Sequence, residues 1–373
     1  MKTDLIQTCL LAAALLALPA VVQAQFNFLT NNGTITITGY TGAGGDVTIP
    51  ATINGLPVTT IGDFAFSGTS LTQVTIPDSV REIDGGAFAA CSNLTSVTIP
   101  DSVVNIPVWY GWSDTGAFMG CISLTNVMIG SSVTNIGERS FYDCASLRTV
   151  TIPASVTSIG AEAFVFCDSL TNISVNPLNP ACSGLDGVLF DKSQTTLVAY
   201  PRGLGGSYTI PDSVTSIGGY AFEFCGNLMR VSVPGSVTDF GFVWSFYDCT
   251  NLTGLYFRGN APDYHSIPYF QTNTIIYYLP GSVGWDSFLT SHQLELWLPQ
   301  AQAGDVSFGV QNNQFGFNIN WASGQTVVVE ACNNLANPVW QSVQTNTLTG
   351  DSVYFSDPQW TNYPTRLYRL RSP

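Results

Sequence analysis

Charge is scarce in this sequence, and positive charge is scarcer still. Only 10% of the 373 residues are charged, the net charge is −14, and Lys192 is the one lysine after Lys2. A chain so poor in cations has no basic patch to neutralise a phosphate backbone or an anionic lipid surface, which excludes nucleic acid and acidic membranes as partners. Histidine is nearly absent, with only His265 and His292. A Ser-His-Asp site would have to be built on one of them. Asp263 and Ser266 lie beside His265, but no nucleophile elbow accompanies them, so the chain reads as non-enzymatic. Zinc spacings, phosphate loops and dinucleotide glycine patterns are also missing, so neither a cofactor nor a resident metal is expected. Beyond the first segment no apolar run is long enough to span a bilayer.

That first segment has its own signature. Lys2, an apolar run from Cys9 to Ala20 and the small-residue site Val22-Gln23-Ala24 read as a secretory signal peptide over 1–24, cleaved before Gln25. The expected location is therefore secreted, extracellular or at the cell surface.

What the sequence has in abundance is repetition. The stretch Val74 to Ser96, VTIPDSVREIDGGAFAACSNLTS, recurs from about Val47 to Phe257 with a period of 23 residues, as from Val74 to Val97 and from Val150 to Ile173. Periods of this size belong to leucine-rich solenoids, in which no unit buries its apolar face alone and neighbours must stack. Two spacings are longer. Val97 to Val127 spans one repeat plus 7 and contains Trp109, Tyr110 and Trp112, while Ile173 to Tyr208 spans one repeat plus 12.

Each unit carries two apolar clusters. Leu94, Val97 and Ile99 form a β-branched run ended by Pro100, which predicts a short strand stacked in parallel on its neighbours. Val156, Ile159, Ala163, Phe164 and Cys167 close the coil on the opposite side. The glycine after the isoleucine (Gly62, Gly137, Gly160, Gly218, Gly241) suits a turn with positive φ.

Cysteine usage is unusual for an exported chain. Cys91, Cys121, Cys144, Cys167, Cys225 and Cys249 each follow a repeat Phe by three residues and precede a repeat Leu by three, forming one internal column. Side chains in such a column run parallel instead of facing one another, so free buried thiols are expected rather than disulfides. Cys182 and Cys332 lie outside the column and are left open.

The units LTSVTIPDSV, VTSIGAEAFVFC and VTSIGGYAFEFC resemble the BspA-like leucine-rich repeat family of bacterial surface and secreted proteins. The insertion from Leu185 to Pro201 is similar to a hairpin-like coil of that family, and Tyr277 to Trp285 resembles its terminal segment. The resemblance covers roughly Val47 to Trp297 and implies an α/β-type repeat solenoid with a parallel β-sheet on one face. It also implies a role in adhesion or in host and matrix binding. The chain then divides into an N-terminal cap (25–46), the solenoid (47–257), a C-terminal capping segment (258–299), a linker (300–304) and a small all-β, sandwich-like domain (305–373). Alternating runs such as Phe315 to Trp321 and Thr326 to Glu330 support that last assignment.

Candidate binding residues are the outward strand positions Gln73, Thr75, Ser96, Thr98, Asn126, Met128, Thr149 and Thr151, continuing to Asn172, Ser174, Arg230, Ser232 and Tyr256. Arg230 apart, they make an uncharged ladder suited to a protein or glycan ligand at a cell or matrix surface. Trp109, Tyr110 and Trp112 are the second candidate, as aromatic anchors the core does not need. Asp78, Asp101 and Asp212 follow the repeat proline. Stacking them gives no complete calcium site, because Ser131 and Ala154 interrupt the column, and turn hydrogen bonds account for them. The rival reading is a carbohydrate-binding or scaffolding role for the last domain through Trp321, Trp340 or Trp360, with the solenoid as spacer.

Overall fold

A computed structural model describes residues 24–107, 115–241, 244–263, 273–289 and 293–372. They fall into two compact units. The first holds the described residues up to Met229 together with Ser236–Leu252, and the second holds Arg230–Gly235 and the described residues from Thr253 onward.

In the first unit the coils up to Ser158–Ile159 contribute strands to two sheets. Gly45–Thr48, Leu71–Thr75, Ser96–Thr98, Asn126–Met128, Thr149–Ile152 and Asn172–Val175 stack in parallel. Val47, Val74, Val97 and Val127 lie side by side in that sheet, as do Val150 and Ile173. The second sheet uses two-residue strands, Glu82–Ile83, Asn105–Ile106, Asn135–Ile136 and Ser158–Ile159. An antiparallel hairpin, Phe26–Asn31 with Thr34–Tyr40, closes its open end against Leu56–Ile61.

The side expected to carry helices carries none. Among the described residues there is no α-helix, and the fold is a β-solenoid rather than an α/β one. The reason is local. Arg139, Asp143, Glu162 and Phe166 take φ of 53°, 57°, 55° and 59°, which breaks any right-handed helical run across these turns. Backbone amides there serve the neighbouring coil instead: Phe66, Phe88, Phe118 and Phe141 donate to the carbonyls of Ala87, Ala117, Ser140 and Ala163 at 2.8–3.0 Å.

The glycine column also differs from its expected use. Of the five, only Gly241 has positive φ (62°). Gly62, Gly160 and Gly218 are needed for close approach between coils, since a Cβ on Gly160 would sit 2.3 Å from the Glu138 nitrogen, one on Gly62 2.9 Å from the Ile37 oxygen and one on Gly218 3.1 Å from the Leu197 oxygen.

The repeat phenylalanines form a ring ladder through the core. Centroids from Phe66 through Phe88, Phe118 and Phe141 to Phe164 are 5.0, 5.2, 5.5 and 5.8 Å apart, with planes within 14°. Tyr40 of the hairpin stacks on Phe66 at 5.3 Å and ends the ladder. Beside it runs the cysteine column. The thiols of Cys91, Cys121, Cys144 and Cys167 donate to the carbonyls of Phe66, Phe88, Phe118 and Phe141 at 3.1–3.3 Å. Cysteine thus fits a position that is apolar in volume yet faces one carbonyl still able to accept. All eight described cysteines, Cys182 and Cys332 included, are free and buried. Burial pushes the thiols of Cys167 and Cys249 up to about 12 and that of Cys144 well above its ordinary range. Thiolate is the reactive form, so native protein at pH 8 should leave these thiols unreacted with Ellman's reagent over hours and release them on denaturation. Prompt labelling of the native column would contradict this packing.

A pH effect follows from Asp84, half-buried on the short-strand side. Burial first, then the charges of Glu82 and Asp63, push its carboxyl up to about 6. The folded value lies above the unfolded one, so this site stabilises the fold below about pH 4, relative to higher pH, and that advantage is lost as pH rises through about 6. Asp84→Asn should raise Tm at pH 8 by about 2 °C and leave it unchanged at pH 3.5. A fall in Tm at pH 8 would refute the assignment.

In the second unit Gly254–Phe257, Ile275–Tyr278 and Gln293–Leu296 continue the parallel pairing beyond the segment in which the repeat fades from the sequence. Gln300–Gln302, in the stretch read as a linker, is a strand paired with Asn318–Asn320. The remaining strands make two antiparallel sheets, one around Gln314–Asn320 and one around Thr326–Cys332. Leu279, Phe317, Ile319, Trp321, Val327, Val329 and Phe355 share one buried cluster.

Candidate functional site

Alternation along each long-sheet strand decides what the solvent meets. Val74, Val97, Val127 and Val150 point into the core, so the residues flanking them point out. Parallel register then aligns those outward residues into rows. One row runs Gln73, Ser96, Asn126, Thr149 and Asn172. The next contains Thr98 beside Met128 and Thr151 beside Ser174. Every predicted ladder residue of the first unit is exposed or part-exposed, and Met128 is 59% exposed.

Few of these side chains are committed to one another. Thr151 and Ser174 share a hydroxyl hydrogen bond of 2.9 Å, and Thr98 reaches the Met128 sulfur at 3.9 Å. A shallow groove of about 540 Å³ lies over this face, lined by Gln73, Thr75, Ser96, Thr98 and Met128. Asp78 and Asp101 stand at its edge. The Asp101 carboxylate accepts the Ser131 amide at 2.6 Å, and that bond lowers its pKa. The repeat-proline aspartates therefore include one that ties adjacent coils through their turns. No group of three His, Cys, Asp or Glu side chains able to hold a metal occurs among the described residues.

The groove offers three hydroxyls, one side-chain amide and one thioether, with no formal charge on its floor. Such a surface can exchange hydrogen bonds with a polypeptide or sugar, but it holds no nucleophile–base pair.

Other sequence candidates stand differently. Trp109, Tyr110 and Trp112, and both histidines, lie outside the described residues. Trp321 is 3% exposed, and its indole N–H donates to the Trp297 carbonyl at 2.8 Å, making it core and not a ligand platform. The Trp360 indole donates to the Asn313 carbonyl at 3.2 Å, and Arg369 covers the Trp340 ring at 4.4 Å.

The second unit carries a stacked pair of which the sequence candidates included only Tyr256. Ser232, Tyr256, Tyr277 and Glu295 occupy one row, with the two tyrosine rings stacked at 4.5 Å and 6°. Tyr256 was legible as an outward position, whereas Tyr277 sits where the 23-residue period no longer marks the register.

Among the described residues no helix is long and apolar enough to cross a membrane. Comparison with protein families matches the BspA type leucine rich repeat region, in six copies, over residues 46–110, 113–201 and 206–283. Among solved structures, the pneumococcal vaccine antigen PcpA is similar at 16% identity, over 73% of this chain and 96% of that one, with a TM-score of 0.48. A leucine rich cell surface protein from Faecalibacterium prausnitzii A2-165 is 24% identical over 73% and 93% of the two chains, with a TM-score of 0.43. A leucine rich repeat protein from T. pallidum is 28% identical over 61% and 88%, with a TM-score of 0.40. Comparison with curated proteins gives no match.

Proposed function

The chain belongs to the BspA-type leucine-rich repeat family, and from that membership we propose that it is an exported, non-catalytic binding protein acting in adhesion at a cell or matrix surface. The observation that carries this reading is the pair of registered, uncharged rows on the long parallel sheet, Gln73 to Thr149 and Thr98 to Thr151. Uncommitted hydroxyls and amides at a fixed spacing of about 4.8 Å present a regular array to an extended polypeptide or glycan. Residues 1–24 act as the export signal in this reading. Residues 305–373 form a small sandwich-like domain that completes the second unit without carrying the ligand, because its best-placed tryptophan is buried.

The test compares the chain from Gln25 onward with its Thr98→Arg/Asn126→Arg variant on an array of matrix proteins and glycans. Both sites are exposed, so stability should change by less than about 1 kcal/mol. Binding to whichever array member the parent chain recognises should fall at least tenfold, as expected when charge is placed in the centre of an interface. Unchanged binding by this variant, or loss of binding in Trp340→Ala/Trp360→Ala alone, would overturn the reading in favour of the C-terminal strands.

A further inference from the structure

The ring ladder of the first unit is interrupted once. Rings follow one another from Phe66 to Phe164 at 5.0–5.8 Å, and again from Tyr200 through Phe222 to Phe246 at 5.0 and 4.6 Å. Phe164 and Tyr200 make no ring contact with each other. The cause is the 12-residue insertion. Ser158–Ile159 is the last strand of its sheet, and beyond it the chain turns into the antiparallel strands Cys182–Leu185, Val188–Asp191 and Thr196–Ala199 before the stack resumes at Ser216–Ile217. A cavity of about 290 Å³ opens at the break, and Phe164, Tyr200, Ile159, Val198 and Ala199 are among the residues that line it. An apolar cavity of roughly 150 Å³ suffices for benzene, so this one accommodates an aromatic ring with a short chain attached.

Its charged lining is asymmetric. Glu162 is held by Arg139 through two hydrogen bonds of 2.9 and 3.1 Å. Arg202 is paired with Asp168 at 2.9 Å, donates to the Phe224 carbonyl and lies over the Phe166 ring at 4.7 Å. Glu223 is different. It lines the same cavity, is half-buried, and its carboxylate makes no hydrogen bond or ion pair among the described residues. Arg202 and Arg139 act on it only from a distance, so the cavity presents one carboxylate without a direct partner beside an apolar slot.

We propose that this cavity is a binding site for a small aryl-alkylamine, whose ring lies between Phe164 and Tyr200 and whose ammonium meets the Glu223 carboxylate. The ring restores the missing rung of the ladder, and the ammonium supplies the direct partner that this carboxylate lacks. An aryl carboxylate would set a second anion against Glu223, and a simple alkylamine would leave the slot unfilled.

Titration supports the assignment. Glu223 faces Glu162, Arg202, Arg139 and Tyr220, and burial first, then the charge of Glu162, push its carboxyl up to about 7. A primary ammonium stays protonated across this range, so binding strengthens as Glu223 ionises.

The experiment is isothermal titration of the chain from Gln25 onward with 2-phenylethylamine, 3-phenylpropionate and n-butylamine. At pH 8 the first should bind with Kd at or below about 1 mM, the other two at least tenfold more weakly, and binding of the first should weaken at least fivefold at pH 5.5. Glu223→Gln should lower affinity at least tenfold and abolish the pH dependence. Ala199→Leu, which fills the slot from its part-exposed rim, should abolish binding while Tm shows the fold intact. Absence of binding by 2-phenylethylamine, equal binding by 3-phenylpropionate, or wild-type affinity in either variant would overturn the proposal. Should a variant fail to fold, the ligand series and the pH dependence of the parent chain decide alone. None of these outcomes bears on the strand-face reading, which concerns other residues.

Discussion

Phe118→Ala should lower the free energy of unfolding of the first unit by about 3–5 kcal/mol, the range for truncating a fully buried phenylalanine. Phe118 has no solvent exposure and stacks on Phe88 at 5.2 Å and on Phe141 at 5.5 Å, so its removal breaks the ladder on both sides at once. Each lost aromatic pair adds about 0.5–1.5 kcal/mol to the loss of buried area, which places the substitution at the upper end of that range. The gap cannot close easily. The coil is held by the Phe88 amide on the Ala117 carbonyl, the Phe118 amide on Ser140 and the Cys144 thiol on the Phe118 carbonyl, all of them backbone-anchored. Because each coil touches only its neighbours, damage in one should uncouple the coils on either side instead of weakening all equally. Hydrogen exchange would then show faster opening from Ala87 to Ala163, with the Phe26–Asn31 hairpin protected as before. Met128→Ala, at an exposed position in the adjacent strand, is the control and should change stability by less than about 0.5 kcal/mol. A Phe118→Ala loss below about 1 kcal/mol would mean the ladder is not a stabilising element.

Much of this was legible in the sequence because a 23-residue period repeats one environment many times. Val, Phe, Cys and Leu recur at constant offsets, and every member of those columns points to the same burial. The outward rows were legible for the same reason, since alternation about Val74, Val97 and Val127 leaves Gln73, Ser96 and Asn126 no other face. What escaped were features set by geometry between coils. The turns are not helical because Glu162 and Arg139 adopt left-handed conformations that neither residue type advertises. The glycine column reads as a set of turns, yet at Gly62, Gly160, Gly218 and Gly241 the requirement is room for the preceding coil's backbone, a contact between residues about 23 apart.

The cavity escaped for a related reason. The length of the insertion after Ile173 says that a coil is interrupted, but not which side of the stack opens or that Glu223 will line the opening. The coils of the second unit escaped because Ile275–Tyr278 and Gln293–Leu296 keep the parallel pairing while losing the Pro, Cys and Phe landmarks. Hydrogen bonding through the backbone preserves a register that side chains no longer record.

Arg366→Ala should cost the second unit about 3–5 kcal/mol, the penalty for leaving a buried charge without its partner. Asp357 is 1% exposed at the end of the strand Ser352–Asp357, and its carboxylate has three donors: the Arg366 Nε at 2.6 Å, the Tyr368 hydroxyl at 2.9 Å and the Gln359 amide at 2.8 Å. Removing the guanidinium deletes the only cation in that set, along with its packing on the Tyr363 ring at 4.1 Å. Tyr368→Phe removes one neutral donor and should cost about 1.5–3 kcal/mol, the range for a hydrogen bond to a charged group. Replacing both members of the pair, Asp357→Leu with Arg366→Leu, removes the stranded charge and should recover part of the loss. Stability of the double variant above that of Arg366→Ala is therefore the diagnostic result, read by urea unfolding. The second ion cluster provides the contrast. Glu330 meets Arg369 and Arg371, but both arginine side chains are 47% exposed, so water can replace either one. Deleting Arg369 should accordingly destabilise less than deleting Arg366. If the two deletions prove equal, Asp357 is solvated when its partner leaves, and the buried pair is not what holds the strand Ser352–Asp357 to Leu367–Arg371.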